Sequence, residues 1–182
     1  MDKEFNPKNI FLILGTNIRN ARETQGISIS TLASSIDYDR GCLSALEYGE
    51  QNIEYLTVLN LARQLNTPFP TLFFPNYLDT SPSKNIELES NYTEDDFLLV
   101  FIENFQRAMK RKQLKQIEVY SATDIQTATI SRITNRKALN PTIKTLYAMS
   151  YTVGVEMHSL FSRNAIQEDY KWYLHRIQTN LM

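Results

Sequence analysis

Residues 26–47 read GISISTLASSIDYDRGCLSALE, which is two short helix patterns separated by a tight turn. Ser28 can cap a helix over residues 29–36 and Asp39 can cap a second helix over residues 40–48, because both side chains accept hydrogen bonds from free backbone amides. The apolar positions that would face the core are Leu32, Ala33, Leu43 and Leu46. Two short helices with this spacing predict a helix-turn-helix unit.

The sequence around this stretch is also helical in pattern. A helix pattern from Phe11 to Thr24 ends near Gly26, whose backbone freedom suits a helix C-terminus. Elsewhere several short patterns with one apolar face recur, and almost no alternating strand pattern is present. We therefore predict an all-α fold.

The apolar pattern recurs later in the chain. A shift of 87 residues carries Ile27, Leu32, Leu43 and Leu46 onto Leu114, Val119, Ile130 and Ile133, and a shift of 88 carries Val58, Leu61, Leu65, Leu72 and Phe73 onto Leu146, Met149, Val153, Leu160 and Phe161. The second copy thus has one extra residue near Ala138 to Asn140. Such a series is difficult to obtain from unrelated helices, so it predicts a duplicated unit.

The repeat sets the expected domain boundaries. We predict a first helix-turn-helix domain over residues 8–75 and a second over residues 94–162. The linker between them, residues 76–93, is rich in polar and acidic residues. Residues 163–182 form a predicted C-terminal amphipathic helix, which could pack on its own domain or make a homodimer contact. Its apolar stripe consists of Ile166, Tyr170, Tyr173, Leu174 and Ile177.

The first unit carries a recognisable series of residues. They are Leu14-Gly15, Ile18-Arg19, Arg22, Gly26-Ile27-Ser28, Leu32-Ala33, Leu43-Ser44, Leu46-Glu47, Gly49, Leu61-Ala62 and Leu65. In this order, over about residues 11–74, they resemble the phage repressor and Cro family, also called XRE. The resemblance implies a five-helix, lambda-repressor-like domain whose third helix enters the major groove of DNA, usually as a homodimer on a pseudo-palindromic site.

The second unit resembles the same family over about residues 97–161. The matching positions include Asn104, Gln116, Ile130-Ser131-Arg132-Ile133, Asn135, Lys137, Asn140-Pro141 and Thr145-Leu146. Three positions depart from the family pattern. Tyr120 stands where a small residue is usual, and Thr134 and Arg136 replace the usual Glu and Gly after the recognition helix. Tyr120 is expected to alter the angle between the second and third helices of this unit.

Charge separates the two units although the net charge is only −1. Residues 97–161 hold nine basic and four acidic side chains, whereas residues 11–74 hold four basic and six acidic ones. Positive charge is therefore concentrated in the second unit, where it can meet phosphate. The alternative interpretation is an ordinary solvated basic face.

The candidate DNA-contacting residues follow from this comparison. Residues expected to read bases are Gln116, Gln126, Thr127, Ser131 and Arg132 in the second unit, with Arg40 and Ser44 in the first. Residues expected to bind phosphate are Lys112, Lys115, Arg136, Lys137 and Lys144, with Arg19 and Arg22. Arg132 is the strongest candidate, because a guanidinium can bond guanine N7 and O6 together. The first unit has Ile29 where the family has Gln, so it either binds DNA or serves dimerisation or a protein partner.

Other function classes lack a sequence signal. The N-terminal residues do not resemble a secretion signal and no apolar stretch is long enough to cross a bilayer, which predicts a cytoplasmic protein without membrane contact. One cysteine, Cys42, and two histidines give no metal-site spacing, and no glycine-rich phosphate loop is present. We expect no enzyme activity and no cofactor.

The function predicted from the sequence is sequence-specific binding of double-stranded operator DNA by a transcriptional regulator, a repressor acting as a homodimer. The alternative is a protein-interaction module on the same fold, such as an antitoxin or a phage- or plasmid-encoded inhibitor, with weak or secondary DNA binding. A regulator should bind DNA with an affinity that falls steeply as salt rises, whereas an interaction module should retain a protein partner.

Overall fold

The computed structural model describes residues 5–75 and 97–162, and these residues are helical without any strand. The first range contains α1 (Lys8–Thr24), α2 (Ile29–Ser35), α3 (Arg40–Glu47), α4 (Tyr55–Gln64) and a short 3-10 helix (Phe69–Phe73). The second contains α5 (Phe97–Arg111), α6 (Gln116–Thr123), α7 (Thr127–Thr134), α8 (Ile143–Val153) and α9 (Met157–Leu160). The all-α prediction is confirmed. None of the helices in these two ranges is long and apolar enough to span a bilayer.

The local signals around α2 and α3 act as the sequence predicts. Ser28 Oγ accepts a hydrogen bond from the Thr31 amide at 3.1 Å, and Asp39 Oδ1 accepts one from the Cys42 amide at 2.8 Å. Gly26 follows α1 with φ of +66°, the left-handed conformation that ends many helices. Both predicted caps are therefore confirmed, and α2 and α3 each end one residue earlier than predicted.

Left-handed residues occur at corresponding places in the two ranges. The pairs separated by 87 residues are Gly26 and Gln113, Asp37 and Asp124, and Gly49 and Arg136, and the pair separated by 88 is Asn66 and Gly154. These pairs include every residue with positive φ in the two described ranges. The chain thus turns at the same points in both, and the spacing changes after Arg136.

A buried asparagine joins the first helix of each range to its last. Asn17 Nδ2 donates to two carbonyl groups at the end of the 3-10 helix, both at 2.9 Å. Asn104 Nδ2 donates in the same way to two carbonyl groups at the end of α9, at 3.0 and 2.7 Å. Both side chains are almost fully buried, and a buried amide without partners would be strongly destabilising. The two clamps fix the ends of the two helical units.

The apolar core is continuous through both ranges. Phe69 packs on Phe97 with ring centroids 5.2 Å apart and on Phe161 at 4.9 Å. Near the surface, Glu54 forms an isolated antiparallel bridge with Thr142. The two helical units are therefore joined by direct packing. The whole predicted linker (76–93), the first three residues of the predicted second domain (94–96) and the predicted C-terminal helix with its dimer-contact residues lie outside the described residues.

Candidate nucleic-acid interface

Helix α7 presents one apolar and one polar side. Ile130 and Ile133 are fully buried and fix the helix on the core. Arg132 and Gln126 are exposed on the solvent side, where Thr127 and Ser131 are half-buried. The Ser131 hydroxyl accepts a hydrogen bond from Asn135 Nδ2 at 3.1 Å. Four residues predicted to read bases therefore lie together at the accessible surface of one short helix.

Arg132 has its hydrogen-bonding capacity available. Within residues 5–75 and 97–162, its guanidinium makes no ion pair and no hydrogen bond with a side chain or a carbonyl group. A guanidinium carries five N–H donors in a planar fork, which matches the acceptor pair at the major-groove edge of guanine. The side chain is thus exposed, charged and free to meet such a pair.

The amino-terminal ends of α7 and α3 differ in charge. Gln126 at the start of α7 makes no side-chain cap and the first turn holds no acidic residue, so no side-chain carboxylate binds the first amides of this helix. The start of α3 carries the Asp39 carboxylate, and the Cys42 amide that it binds lowers the pKa of Asp39. An anion such as a DNA phosphate is therefore better accommodated at α7.

Basic side chains predicted to bind phosphate are accessible in the second unit. Lys115, Arg136 and Lys137 are exposed and Lys144 is half-buried. Arg136 lies 3.6 Å from the Glu103 carboxylate, with both side chains more than half exposed. An ion pair exposed in this way contributes little stability, so Arg136 can exchange its partner for phosphate.

Gln116, the remaining base-reading candidate of the second unit, begins α6 and is half-buried. Its Nε2 donates to Thr134 Oγ1 at 3.4 Å, which connects the start of α6 with the end of α7. The contact places this amide next to the recognition helix. It also uses part of the donor capacity of the amide.

Two residues predicted to bind phosphate have partners within the protein. Lys112 Nζ donates to the Val153 carbonyl at the end of α8, so the ammonium group stabilises a helix C-terminus. The first unit has the same contact at the corresponding place, where Gln25 Nε2 donates to the Leu65 carbonyl at 2.6 Å. Lys112 therefore has a structural partner inside its own unit.

Arg22 is the second of these residues. Its Nε and Nη2 donate to the two carboxylate oxygens of Glu47 at 2.6 and 2.8 Å, and its Nη1 donates to the Ile27 carbonyl at 2.9 Å. The side chain is only 11% exposed, and the hydrogen bond to Glu47 raises the pKa of Arg22. Arg22 therefore stabilises the packing of α1 against α3 and is not available to phosphate.

Arg19 is partly engaged in the same region. Its Nη2 donates to the Glu47 carbonyl at 2.5 Å, and its guanidinium lies 4.4 Å from the centre of the Tyr48 ring. Of the other first-unit candidates, Arg40 is exposed and Ser44 is half-buried, one helical turn apart on α3. Gly41 and Ala45 beside them offer no polar side chain. The accessible polar surface of α3 is thus smaller than that of α7.

The second unit lacks the buried ion pair of the first. Met109 and Thr134 stand 87 residues after Arg22 and Glu47, and both are buried. The Thr134 hydroxyl donates to the Ile130 carbonyl at 3.0 Å, so no buried charge remains. The family pattern identifies the change from Glu to Thr134. The accompanying change from Arg22 to Met109 was not predicted, although the 87-residue spacing identifies it.

The other two departures have separate explanations. Arg136 adopts φ of +59° where Gly49 adopts +72°, so a side chain occupies a left-handed turn position. Tyr120 is 46% exposed, whereas Ala33 at the corresponding place is buried between helices. The tyrosine side chain therefore projects from the surface of α6.

One comparison with known proteins gives a match. Residues 18–72 match the family model described as "Helix-turn-helix", over less than a third of the chain. Neither a curated protein nor a solved structure matches the chain. The matched range extends from the middle of α1 to the 3-10 helix and includes α2 and α3.

Proposed function

We propose that the protein, whose residues 18–72 carry a helix-turn-helix domain of the XRE type found in DNA-binding transcription regulators, represses transcription by binding a specific operator. The observation that carries this proposal is the exposed Arg132 on the accessible side of α7, whose guanidinium has no partner among residues 5–75 and 97–162. A base-reading helix needs such a polar side, together with an apolar side that holds it rigidly on the domain.

Arg132 and its neighbours supply the base contacts in this proposal. The Arg132 guanidinium donates to N7 and O6 of a guanine, a pair worth roughly 1–3 kcal/mol of discrimination. Gln126, Thr127 and Ser131 lie beside it and contact adjacent base edges. Gln116 approaches from the start of α6.

The exposed basic residues supply affinity. Lys115, Arg136, Lys137 and Lys144 contact phosphates on either side of the groove. Four such contacts predict a slope of about −3.6 in the logarithm of affinity against the logarithm of salt concentration. Affinity should therefore fall on the order of 100-fold between about 50 and 200 mM salt.

The proposed regulator represses transcription by occupying its operator. A protein bound to an operator that overlaps a promoter excludes other proteins from the same DNA. Two half-sites are expected for such an operator, read either by a homodimer or by the two units of one chain. The residues predicted to make the homodimer contact lie outside the described ranges.

The test is an unbiased selection of bound DNA from random fragments, followed by binding measurements at several salt concentrations. The proposal predicts an enriched sequence and the salt dependence given above. Failure to enrich any sequence would overturn it. Capture of one specific protein in a pull-down, combined with weak and unselective DNA binding, would favour the protein-interaction module instead.

A further inference from the structure

The two helical units meet through reciprocal backbone hydrogen bonds. The Tyr55 amide donates to the Pro141 carbonyl at 2.9 Å, and the Ile143 amide donates to the Ile53 carbonyl at 2.8 Å. Pro141 corresponds to Ile53 and Ile143 corresponds to Tyr55 at a spacing of 88 residues. Exchanging the two units therefore converts each of these bonds into the other.

Side-chain contacts around this bridge are reciprocal as well. Asn140 Oδ1 accepts from the Leu56 amide at 2.9 Å, and Asn52 Oδ1 accepts from the Lys144 amide at 3.0 Å. Each asparagine thus binds the first turn of a helix in the opposite unit. The two asparagines correspond at the same 88-residue spacing, as do Leu56 and Lys144.

A third contact joins corresponding residues directly. The rings of Phe73 and Phe161, also 88 residues apart, stack with centroids 5.5 Å apart and planes inclined by 24°. Both rings are buried. At the bridge, Glu54 likewise faces its own counterpart Thr142. Positions that meet their own counterparts lie on or near an axis of two-fold symmetry.

The arrangement is that of a symmetric dimer within one polypeptide. In an isologous interface, whenever a residue of one unit contacts a residue of the other, the counterparts of these two residues also contact each other. Such an interface requires two-fold symmetry. A two-fold rotation does not change the part of a direction that runs parallel to its axis. If a surface of one unit faces along the axis, the equivalent surface of the other unit therefore faces the same side of the molecule.

Helices α3 and α7 both precede this bridge closely in the chain. Helix α3 ends seven residues before Glu54, and α7 ends eight residues before Thr142. A duplex has local two-fold axes of its own, and two-fold symmetric proteins place one recognition helix in each of two successive major grooves, roughly 34 Å apart. The geometry found here within one chain meets the symmetry requirement of that arrangement.

We infer that a single chain reads an operator made of two unlike half-sites, with α7 in one major groove and α3 in the next. This inference rests on the proposed function and adds the architecture of the DNA site. Joining both readers in one chain raises the local concentration of the weaker one on DNA. The small polar surface of α3 is then sufficient for α3 to bind the second half-site.

The two half-sites should differ because the two helices differ. Ala45 stands at the counterpart of Arg132, and Arg40 stands at the counterpart of Thr127. The half-site under α7 should contain the guanine that Arg132 reads. The related position under α3 should show no guanine preference, because the Ala45 methyl group cannot hydrogen-bond to a base edge.

The first experiment measures stoichiometry and protection on the shortest duplex selected by the wild-type chain. Sedimentation of the complex should give one chain per duplex, and footprinting should show two protected major grooves one helical turn apart. Two chains per duplex, each protecting one groove, would overturn the inference. Absence of any selected sequence would instead be a failure of the proposed function.

The second experiment adds a reader to the weaker half. Ala45→Arg should create a guanine preference, roughly 5- to 160-fold over other bases, at the position related to the Arg132 contact by the two-fold axis of the site. Asn60→Arg on the exposed side of α4 adds the same charge as a control and should create no base preference. A selected sequence for Ala45→Arg identical to that of the wild type would contradict the inference.

Discussion

The buried ion pair between Arg22 and Glu47 gives a quantitative test of the packing in the first unit. Glu47 is 4% exposed and accepts two hydrogen bonds from a guanidinium that is itself 11% exposed. Replacing Glu47 by Thr leaves that guanidinium with little solvent and with only the exposed Glu23 carboxylate, 3.4 Å from Nη2, as an ionic partner. Removal of one partner of a buried pair costs about 3–5 kcal/mol in the free energy of unfolding.

The second unit shows which residues can replace the ion pair without leaving a buried charge. Its counterpart positions hold Met109 and Thr134, and both are buried without a charge. The double variant Arg22→Met with Glu47→Thr should therefore cost less than about 2 kcal/mol, mainly because the Ile27 carbonyl loses its donor. The two substitutions should show a coupling energy of at least about 2 kcal/mol.

The assay is urea unfolding followed by circular dichroism for the wild type, both single variants and the double variant. Glu50→Thr, at an exposed position of the following loop, serves as the control and should change stability by less than about 0.5 kcal/mol. A double variant destabilised by the sum of the two single variants would refute the reasoning, because independent sites show no coupling.

Two further predictions concern strain and pH. Arg136→Gly should raise the free energy of unfolding by about 0.5–1 kcal/mol, because glycine adopts φ of +59° without a Cβ penalty. Denaturant unfolding measures this change, and a loss of stability would contradict the prediction. Burial lowers the pKa of His158, which stacks on Phe74, to about 4. The unfolded chain therefore binds more protons between about pH 6.5 and 4, so up to about 3 kcal/mol of stability should be lost as the pH falls through that range. His158→Phe should flatten this part of the pH profile, and an unchanged profile would show that another group is responsible.

The features that the sequence predicts correctly depend on local interactions. Ser28 and Asp39 cap helices that begin one residue later, and Leu43 and Leu46 face the core because they share one side of a single short helix. Such contacts span three or four residues and leave a direct mark on the residue pattern. The helical turns of both units could be placed for the same reason.

The features that it misses depend on partners far along the chain. Arg22 and Lys112 are both basic residues in the sequence, but each binds a partner 25 or 41 residues away. Arg22 is thereby largely buried, whereas Lys112 stays exposed while its ammonium group binds a carbonyl group. The bridge between the units is even harder to predict from the sequence, because Asn52 and Asn140 are exposed polar loop residues like many others. Only their contacts across 84 to 92 positions distinguish them.

The central claim is that the outward side of α7 reads DNA, and it is tested most directly by comparing Arg132→Ala with Lys137→Ala on DNA selected by the wild type. We expect Arg132→Ala to lose roughly 1–3 kcal/mol of preference at one base position. Lys137→Ala should weaken binding to all sequences alike and reduce the salt slope by about one. If both variants bind with the affinity, base preference and salt dependence of the wild type, α7 is not the reading helix.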